Sequence, residues 1–335
     1  MKKLSRRAFL VVTGAAGTAA ACSTQSPPII QTGSVQDASP NRPIQLIVPG
    51  PAGGRNDLVG RAAADVLAKE LGEPVSVVNP EGASPGAHSA IATAPADGRT
   101  LGLITVDIAT MHWRGLTQLS HRDYTPLALV SEDPAGIHVK ADGPWKTGRE
   151  LIEQIRANPG HLKVSGVGLG GIWHLSTVGW LTAAGLSADA MPWVPSNGPA
   201  PALQDLAIGG IDVVVCSVPE VRATPDAKTT KSLAVMALQR NPRYPEVPTL
   251  QEAMGLRYVG GAWRGVAGPK GLPRETATRL ATALKKAWES NEFKDQMKRR
   301  GFRPVWRNAT EFAAFMEVED KRMSATVKAA GLAKA

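Results

Sequence analysis

The 335-residue sequence has little cysteine and lacks the spaced motifs on which most catalytic and metal sites depend. Its two cysteines are Cys22 and Cys216, which excludes a disulfide-dense scaffold. The six histidines form no H-x-x-x-H or H-E-x-x-H pair, which excludes the usual helical zinc motif. No P-loop sequence G-x-x-x-x-G-K-[ST] occurs. We therefore expect no catalytic residue, no metal and no cofactor.

Long apolar runs are also missing, except for one near the N-terminus. Met1–Arg7 is basic, Ala8–Ala21 is apolar and Cys22 follows three alanines, a pattern typical of an export signal rather than a membrane-spanning helix. Ser5–Leu10 is similar to a twin-arginine motif, and an ordinary secretory signal is the alternative. Residues 1–22 are thus predicted to direct the protein to the periplasm. Cys22 follows small residues, as in a lipoprotein processing site, and is a candidate lipid anchor. Ala19 replaces the leucine that is usual three positions before the cysteine of such a site.

Clusters of basic and aromatic residues are absent as well. The formal net charge of +9 falls to about +5 once the four basic residues of the leader are removed. The remaining lysines and arginines are scattered along the chain. This mild positive charge favours a small anionic ligand and excludes a nucleic-acid partner.

What the sequence does contain is a regular alternation of short apolar runs and helical patterns. This alternation predicts an α/β fold with parallel strands. The first unit has strands at Ile44–Val48 and Val75–Val78, separated by a helix at Asn56–Leu71. The second unit begins with two strands, near Leu127–Val130 and Gly136–Val139. Strands at Ile211–Cys216 and Leu233–Ala237 close this unit, and Cys216 is predicted to be buried.

The predicted domain organisation is a signal, a linker and two lobes. Residues 23–41 are rich in Ser, Pro and Gln and predict a flexible linker. The two α/β units and the helices near the C-terminus predict two lobes with a ligand cleft between them. The first lobe comprises residues 42–127 and 258–335, and the second comprises residues 128–257.

Glycine-rich loops before predicted helices are the candidate ligand sites. In Pro49–Asp57, glycines allow close approach to a ligand, helix-start N–H groups favour an anion, and Asn56 or Asp57 can cap the helix. A capped turn without a ligand is the alternative interpretation. Asn79–Gly86 and Pro195–Pro201 raise the same possibility.

The most distinctive glycine stretch is Gly166–Leu175, which reads GVGLGGIWHL. Gly166, Gly168 and Gly171 fit G-x-G-x-x-G, the spacing of a dinucleotide-binding turn. A ribose-binding acid belongs at the end of the next strand, and Asp189 precedes the strand predicted near Met191–Val194. An exported dinucleotide-dependent oxidoreductase is therefore an alternative function, disfavoured by this placement.

Several short motifs, in order, resemble the Bug-type receptors, the extracytoplasmic solute-binding proteins of tripartite tricarboxylate transporters. The resemblance extends from about residue 42 to Gly331. It rests on Pro43–Pro49, on Pro51–Gly54 with Asp57, on Ala96–Leu101, Tyr124–Leu129, Gly209–Val213 and Trp263–Gly271.

This resemblance implies a two-lobed periplasmic binding protein, of the type II or Venus flytrap kind, that is not an enzyme. It implies an organic carboxylate ligand, integral membrane transporter subunits as partners, and a monomer. A ligand sensor that feeds a signalling kinase is the alternative partner assignment. The implied ligand-binding residues are Ala52, Gly53, Asn56, Asp57, Gly168, Gly170, Gly171, His174, Ser196, Asn197 and Gly198.

Three of these residues depart from the family pattern. Gly171 replaces the usual serine, Ser196 replaces tyrosine and Asn197 replaces lysine. The changes remove a hydroxyl and a cation, so the ligand of a better-known member does not transfer. Trp173 and Trp193 lie beside the proposed binding loops and are candidates for core packing or for stacking on the ligand.

The proposed anchor generates the first prediction. Replacing Cys22 with Ser should move the exported protein from the membrane fraction to the soluble periplasmic fraction, because the thiol that carries the lipid is lost. Cell fractionation measures this, with Cys216→Ser as the matched control. Equal membrane association of the Cys22→Ser protein would contradict lipid attachment at this residue.

Overall fold

A computed structural model describes residues 42–81 and 84–334. The proposed signal, linker and Cys22 lie outside the described residues, as do Gly82 and Ala83. The strands are β1 (Ile44–Ile47), β2 (Val75–Val78), β3 (Thr100–Thr105), β4 (Tyr124–Lys140), β5 (Val164–Ser165), β6 (Trp193–Val194), β7 (Val213–Ser217), β8 (Thr230–Val235), β9 (Gly261–Pro269) and β10 (Pro304–Asn308).

Helices alternate with these strands, as expected for an α/β fold. They are α1 (Arg55–Leu71), α2 (Ser84–Ala92), α3 (Gly148–Ala157), α4 (Ile172–Ala183), α5 (Pro199–Ala207), α6 (Val218–Arg222), α7 (Leu250–Met254), α8 (Arg274–Glu289), α9 (Asn291–Arg299) and α10 (Ala309–Ala329). None of the helices in the described residues is long and apolar enough to cross a membrane.

The strands fall into two groups that share the long strand β4. The first strand group has the order β2-β1-β3-β9-β4-β10, with β1 parallel to β2 and β3 and with β9 antiparallel to β3 and β4. The second strand group has the order β8-β4-β7-β5-β6, in which β5 is parallel to β6 and β7. Pairing of β4 passes from β9 to β7 between Pro134 and Ala135.

Two apolar cores hold helices against these strands. One core packs α1, α8 and α9 against one face of the first strand group, through residues such as Leu46, Leu67 and Phe293. The other core includes Phe312 of α10 and continues into the second strand group, where Trp180 of α4 is fully buried. Burying such side chains supplies the main driving force for folding.

The predicted α/β class is confirmed, but β4 corrects the prediction of two separate strands near Leu127–Val130 and Gly136–Val139. Glu132, Asp133 and Pro134 between them suggested a break. The structure instead continues the strand, because Arg307 pairs with Glu132 and two arginines pair with Asp133. The described residues from Pro43 onwards form one compact unit, so the lobe boundaries stay a prediction.

Two strands and one helix of the first strand group and its core were not predicted from the sequence. Glycine-rich β9 and proline-led β10 have weak strand patterns, and α9 follows α8 after a short interruption at Ser290. The loop predicted at Asn79–Gly86 is also shorter than expected, because α2 already begins at Ser84. Pro85 is tolerated there since the first helical turn needs no backbone N–H donor. Cys216 is fully buried in β7, as predicted.

His138 of β4 gives a pH-dependent prediction. Burial holds the pKa of His138 at about 4, against an ordinary 6.5, although a hydrogen bond to the Cys216 carbonyl (3.0 Å from Nε2) partly opposes the shift. A lowered folded-state pKa means that stability is lost as pH falls from about 6.5 to about 4. The pKa values of buried His88 and His174 are lowered in the same direction.

We expect His138 alone to remove on the order of 2 kcal/mol of unfolding free energy between pH 7 and pH 5. Urea unfolding measures the decrease in unfolding free energy from pH 7 to pH 5. This decrease should be smaller in His138→Gln than in the unmodified protein, by about 2 kcal/mol. The exposed His161→Gln variant is the control and should behave like the unmodified protein. An unchanged drop in His138→Gln would contradict the assignment.

Candidate functional site

The helices that follow the predicted ligand loops begin differently from most others. The N-cap residues of α1, α4 and α5 are Gly54, Gly171 and Gly198, and none provides a side-chain cap. By contrast, hydroxyl or amide side chains cap α3, α7, α9 and α10. Since a helix start has N–H groups without intrahelical partners, an uncapped start is an anion-binding position.

The first loop, residues 49–54 (loop 1), is braced from within. Asp57 Oδ2 accepts hydrogen bonds from Gly53 N–H and from Arg61 Nε, each at 2.8 Å. Burial would raise the pKa of Asp57, but these bonds outweigh burial and hold the pKa below its ordinary value. Asn56 Nδ2 donates to Pro49 O at 3.1 Å. These two side chains hold the loop in shape.

The expected cap of α1 is therefore wrong. Asn56 and Asp57 lie inside the helix, and Gly54 occupies the N-cap position in an extended conformation. Gly53 adopts a φ of 78°, which a residue with a side chain rarely adopts. The main-chain N–H groups of Arg55, Asn56 and Asp57 have no hydrogen-bond acceptor within the described part of the chain. Exposed Ala52 lies beside these donors.

The two remaining predicted loops lie against each other. Ser196 N–H and Trp193 Nε1 both donate to the carbonyl of Val167, at 3.2 and 3.1 Å. This joins residues 166–171 (loop 2) to residues 195–198 (loop 3). The structure thus brings together the predicted residues Gly168, Gly170, Gly171, His174, Ser196, Asn197 and Gly198.

His174 is a neutral hydrogen-bonding group at the start of α4. Gly170 N–H donates to His174 Nδ1 at 3.1 Å, so the ring proton of neutral His174 is assigned to Nε2. Burial, together with the positive charge of Arg114, lowers the pKa of His174 to about 4. His174 is therefore uncharged at neutral pH and has one N–H donor remaining at Nε2.

Loop 3 is a poorer anion site than the sequence suggested. Pro199 and Pro201 occupy the first and third positions of α5, and proline has no backbone N–H. Of the first three residues of α5, Ala200 alone has a main-chain donor. The Ser196 hydroxyl is used within the loop, since it donates to Gly198 O at 3.0 Å. Most main-chain donors near the predicted site therefore belong to α1 and α4.

Two arginines that the sequence analysis did not select connect the two strand groups. Arg55, at the start of α1, lies 3.8 Å from Glu220 at the start of α6. Arg114, which follows β3, donates to Gly170 O at 3.1 Å. Among residues 42–81 and 84–334, no hydrogen bond links loop 1 directly to loop 2 or loop 3. The two arginines thus provide polar contacts between the strand groups close to loop 1 and loop 2.

A buried ion cluster lies beneath loop 1. Asp133 Oδ2 accepts from Arg55 Nη2 and from Arg264 Nη1, each at 2.8 Å. Burial would raise the pKa of Asp133, but the two guanidinium groups hold it below its ordinary value. Arg264 Nε also donates to Asn56 Oδ1 at 2.6 Å, and Phe302 stacks on Arg55 at 4.2 Å. Loop 1 is thus anchored to both β4 and β9.

The two tryptophans beside the loops have different roles. Trp173 is 4% exposed and belongs to the apolar core, which favours packing over contact with a ligand. Trp193 is partly buried, and its ring lies 4.8 Å from the His174 ring.

Gly170 adopts a conformation that favours glycine, with a φ of 76°. The Arg114 guanidinium lies within 2.7 Å of the position that a Cβ on Gly170 would occupy. A side chain at Gly170 would displace Arg114.

Gly82–Gly86 fits G-x-S-x-G, the spacing of a hydrolase nucleophile turn. Ser84 Oγ donates to Asp107 Oδ2 at 2.7 Å and lies 3.3 Å from His88 Nδ1, which also bonds the carbonyl of Ser84 at 2.9 Å. The other ring nitrogen of His88 lies near Thr105, at 3.5 Å from its hydroxyl, and not near Asp107. A serine triad requires the histidine between the hydroxyl and the carboxylate. Here the hydroxyl contacts the carboxylate directly, so this cluster lacks the geometry of a triad.

Metal and dinucleotide interpretations gain no support from the geometry. Within the described residues no group of three His, Cys, Asp or Glu side chains is arranged to hold a metal ion. Loop 2 does lie between a strand and a helix, as a dinucleotide turn requires. However, Asp189 accepts a hydrogen bond from Ser187 before β6 begins, which is not the ribose-binding position.

Comparison with known proteins gives one consistent family. Residues 59–332 match the family described as tripartite tricarboxylate transporter family receptor. A solute-binding protein from Polaromonas is 33% identical, with a TM-score of 0.75 over 86% of this chain and 99% of that chain.

Two similar structures from Rhodopseudomonas palustris contain carboxylates. An adipate-bound protein is 28% identical, with a TM-score of 0.73 over 88% of this chain and 99% of that chain. A malate-bound protein is also 28% identical, with a TM-score of 0.69 over 86% of this chain and 100% of that chain.

The ion cluster generates a stability prediction. Asp133→Asn leaves Arg55 and Arg264 close together without their shared counter-charge, and should lower the unfolding free energy by about 3 to 5 kcal/mol. Urea unfolding measures this. Exposed Asp205→Asn is the matched control, expected within about 0.5 kcal/mol of the unmodified protein. A similarly small effect of Asp133→Asn would show that the cluster does not stabilise the fold.

Proposed function

Because the chain belongs to the tripartite tricarboxylate transporter receptor family, we propose that it binds a small organic carboxylate outside the cytoplasm and delivers it to membrane transport subunits. Solute binding itself follows from the family. The carboxylate class is supported by similar proteins that are bound to malate and adipate. Neither malate nor adipate is assigned to this chain, since Gly171, Ser196 and Asn197 depart from the family pattern.

The observation that carries this proposal is the uncapped start of α1 and of α4. Ile172, Trp173 and His174 have main-chain N–H groups without an acceptor in the described structure, as do the first three residues of α1. The helix dipole adds a partial positive charge at the same positions. Such donors suit a carboxylate and need no cationic side chain.

The surrounding charges are consistent with this mode of binding. Asp133 and Glu220 offset the charge of Arg55, and His174 is neutral. Ligand charge would therefore be met chiefly by main-chain N–H groups, the Nε2–H of His174 and bridging waters. Ala52, Gly53 and Gly168 would allow close approach of the ligand.

Lobe movement couples binding to delivery in this proposal. Residues 42–127 and 258–335 would form one lobe and residues 128–257 the other, with β4 passing between them. A carboxylate that contacts α1 and α4 at once favours the closed arrangement. The closed monomer would then dock on the transport subunits, with Cys22 as its lipid anchor in the periplasm.

A charge placed at the start of α4 tests the proposal. Gly171→Asp supplies a side-chain cap for α4, although its Cβ would lie 2.7 Å from Val167 Cγ2, so that side chain has to shift. Its carboxylate also occupies the donors and repels an anion. Binding of malate, adipate and a broad panel of organic acids, measured by calorimetry and thermal shift, should therefore fall at least tenfold, and by more than in Gly171→Asn, whose Cβ makes the same contact with Val167.

Two variants control this experiment. Ser290→Asp places a charged cap on α9, away from the loops, and should bind like the unmodified protein. Gly171→Asn caps α4 without charge and should weaken binding less than Gly171→Asp. The proposal fails if no organic acid binds the unmodified protein, or if Gly171→Asp binds its acid as tightly as the unmodified protein does.

A further inference from the structure

One cavity in the described structure is lined by no residue of loops 1, 2 or 3. It has a volume of about 320 Å³ and is lined by β4 at Glu132–Pro134, by β9 at Gly261–Trp263, by β10 and by α10. Residues 236–239, which follow β8, complete its wall. None of the eleven predicted ligand-binding residues lines it. Its volume lies within the range of small-molecule sites, which starts at about 300 Å³.

The charged side chains around this cavity pair with one another, with one exception. Arg307 Nη1 contacts Glu132 Oε1 at 2.6 Å, and Arg322 Nη2 contacts Glu319 Oε2 at 2.6 Å. The carboxylate of Asp133 is used by the buried ion cluster described above. The side chain of Arg303 has no hydrogen bond or ion pair among the described residues, although it also lines the cavity.

A buried donor without a partner is found in the same wall. Trp263 is 2% exposed, and its Nε1–H has no protein acceptor within the described chain. A buried N–H without a partner is unfavourable, because its lost hydration is not replaced by a protein acceptor, so an acceptor supplied by a bound molecule would be favourable. Apolar and aromatic groups, including Val259, Val305 and Phe315, surround these polar groups.

We propose that this cavity is a second ligand site, which takes a small aromatic monocarboxylate. Its carboxylate pairs with Arg303 and accepts from Trp263 Nε1, while its ring packs against Phe315 and the neighbouring valines. The single unpaired cation selects one negative charge, and the apolar walls select a ring over a short diacid. This site is separate in position from the carboxylate site proposed at the starts of α1 and α4.

The position of the cavity gives its occupant a regulatory effect. Its walls include the parts of β4 and β9 that meet where β4 changes from pairing with β9 to pairing with β7. A molecule wedged against both strands favours one relative placement of the two strand groups. Binding there would then alter affinity at the first site, and the effect would be reciprocal.

The test uses 2-naphthoate as the probe and the tryptophan indole N–H signals in a ¹H–¹⁵N spectrum as the readout. Trp263, assigned by its loss in Trp263→Phe, reports on this cavity. Trp193, whose Nε1 bonds Val167 O, reports on loops 2 and 3. Fully buried Trp180, which also has no acceptor for its indole N–H but does not line the cavity, is the internal control.

The proposal predicts that 2-naphthoate shifts the Trp263 signal in a saturable manner and leaves Trp180 unmoved. The uncharged 2-naphthamide should bind at least tenfold more weakly. Arg303→Gln should weaken naphthoate at least tenfold, Arg303→Lys should restore part of the loss, and exposed Arg299→Gln should have no effect.

Three results would overturn the proposal. They are the absence of any Trp263 shift, a shift confined to Trp193, and unchanged naphthoate binding by a folded Arg303→Gln protein. A shift confined to Trp193 would still support the first carboxylate site. Failure of this inference is thus distinguishable from failure of the proposed function.

Discussion

The buried carboxylate of Asp133 is the constraint on which the arrangement of the loops depends. An unpaired charge at this depth would cost several kcal/mol, so Asp133 requires both Arg55 and Arg264. Arg264 belongs to β9 and Arg55 to the start of α1. One carboxylate therefore fixes two neighbouring strands and the loop that precedes the first helix.

This cluster also separates the two uses of charge in the protein. Arg55 pairs with Asp133 and Glu220, so the positive charge of the arginine next to loop 1 is already offset. In the proposed function, the charge of the ligand is met by main-chain donors at the uncapped starts of α1 and α4. Such a site would release a carboxylate without leaving a buried cationic side chain unpaired.

Much of the fold could be predicted from the sequence, because β1, α1 and β2 have clear apolar periodicity. The continuity of β4 could not, since its charged stretch is satisfied only by Arg55 and Arg264, which lie 78 and 131 positions away from Asp133. The glycine-rich stretches correctly predicted that a helix begins directly after each of loops 1 to 3. Arg55 and Arg114 were missed because their partners become neighbours only in the folded chain.

Two local errors have instructive causes. Asn56 and Asp57 were expected to cap α1, but the helix begins earlier, after Gly54, and their side chains brace loop 1. The segment Pro195–Pro201 was expected to offer a further anion site, but its prolines remove main-chain donors from the start of α5. In both cases the outcome depends on the main-chain N–H groups at the helix start, which are free at α1 and largely absent at α5.

The most direct test of the account is a crystal structure of the protein bound to the organic acid for which it has the highest affinity. The account predicts one ligand carboxylate that accepts hydrogen bonds from main-chain N–H groups at the start of α1 or α4, in a molecule that touches both loop 1 and loop 2. A carboxylate bound only by side chains, or at a position remote from both helix starts, would contradict it.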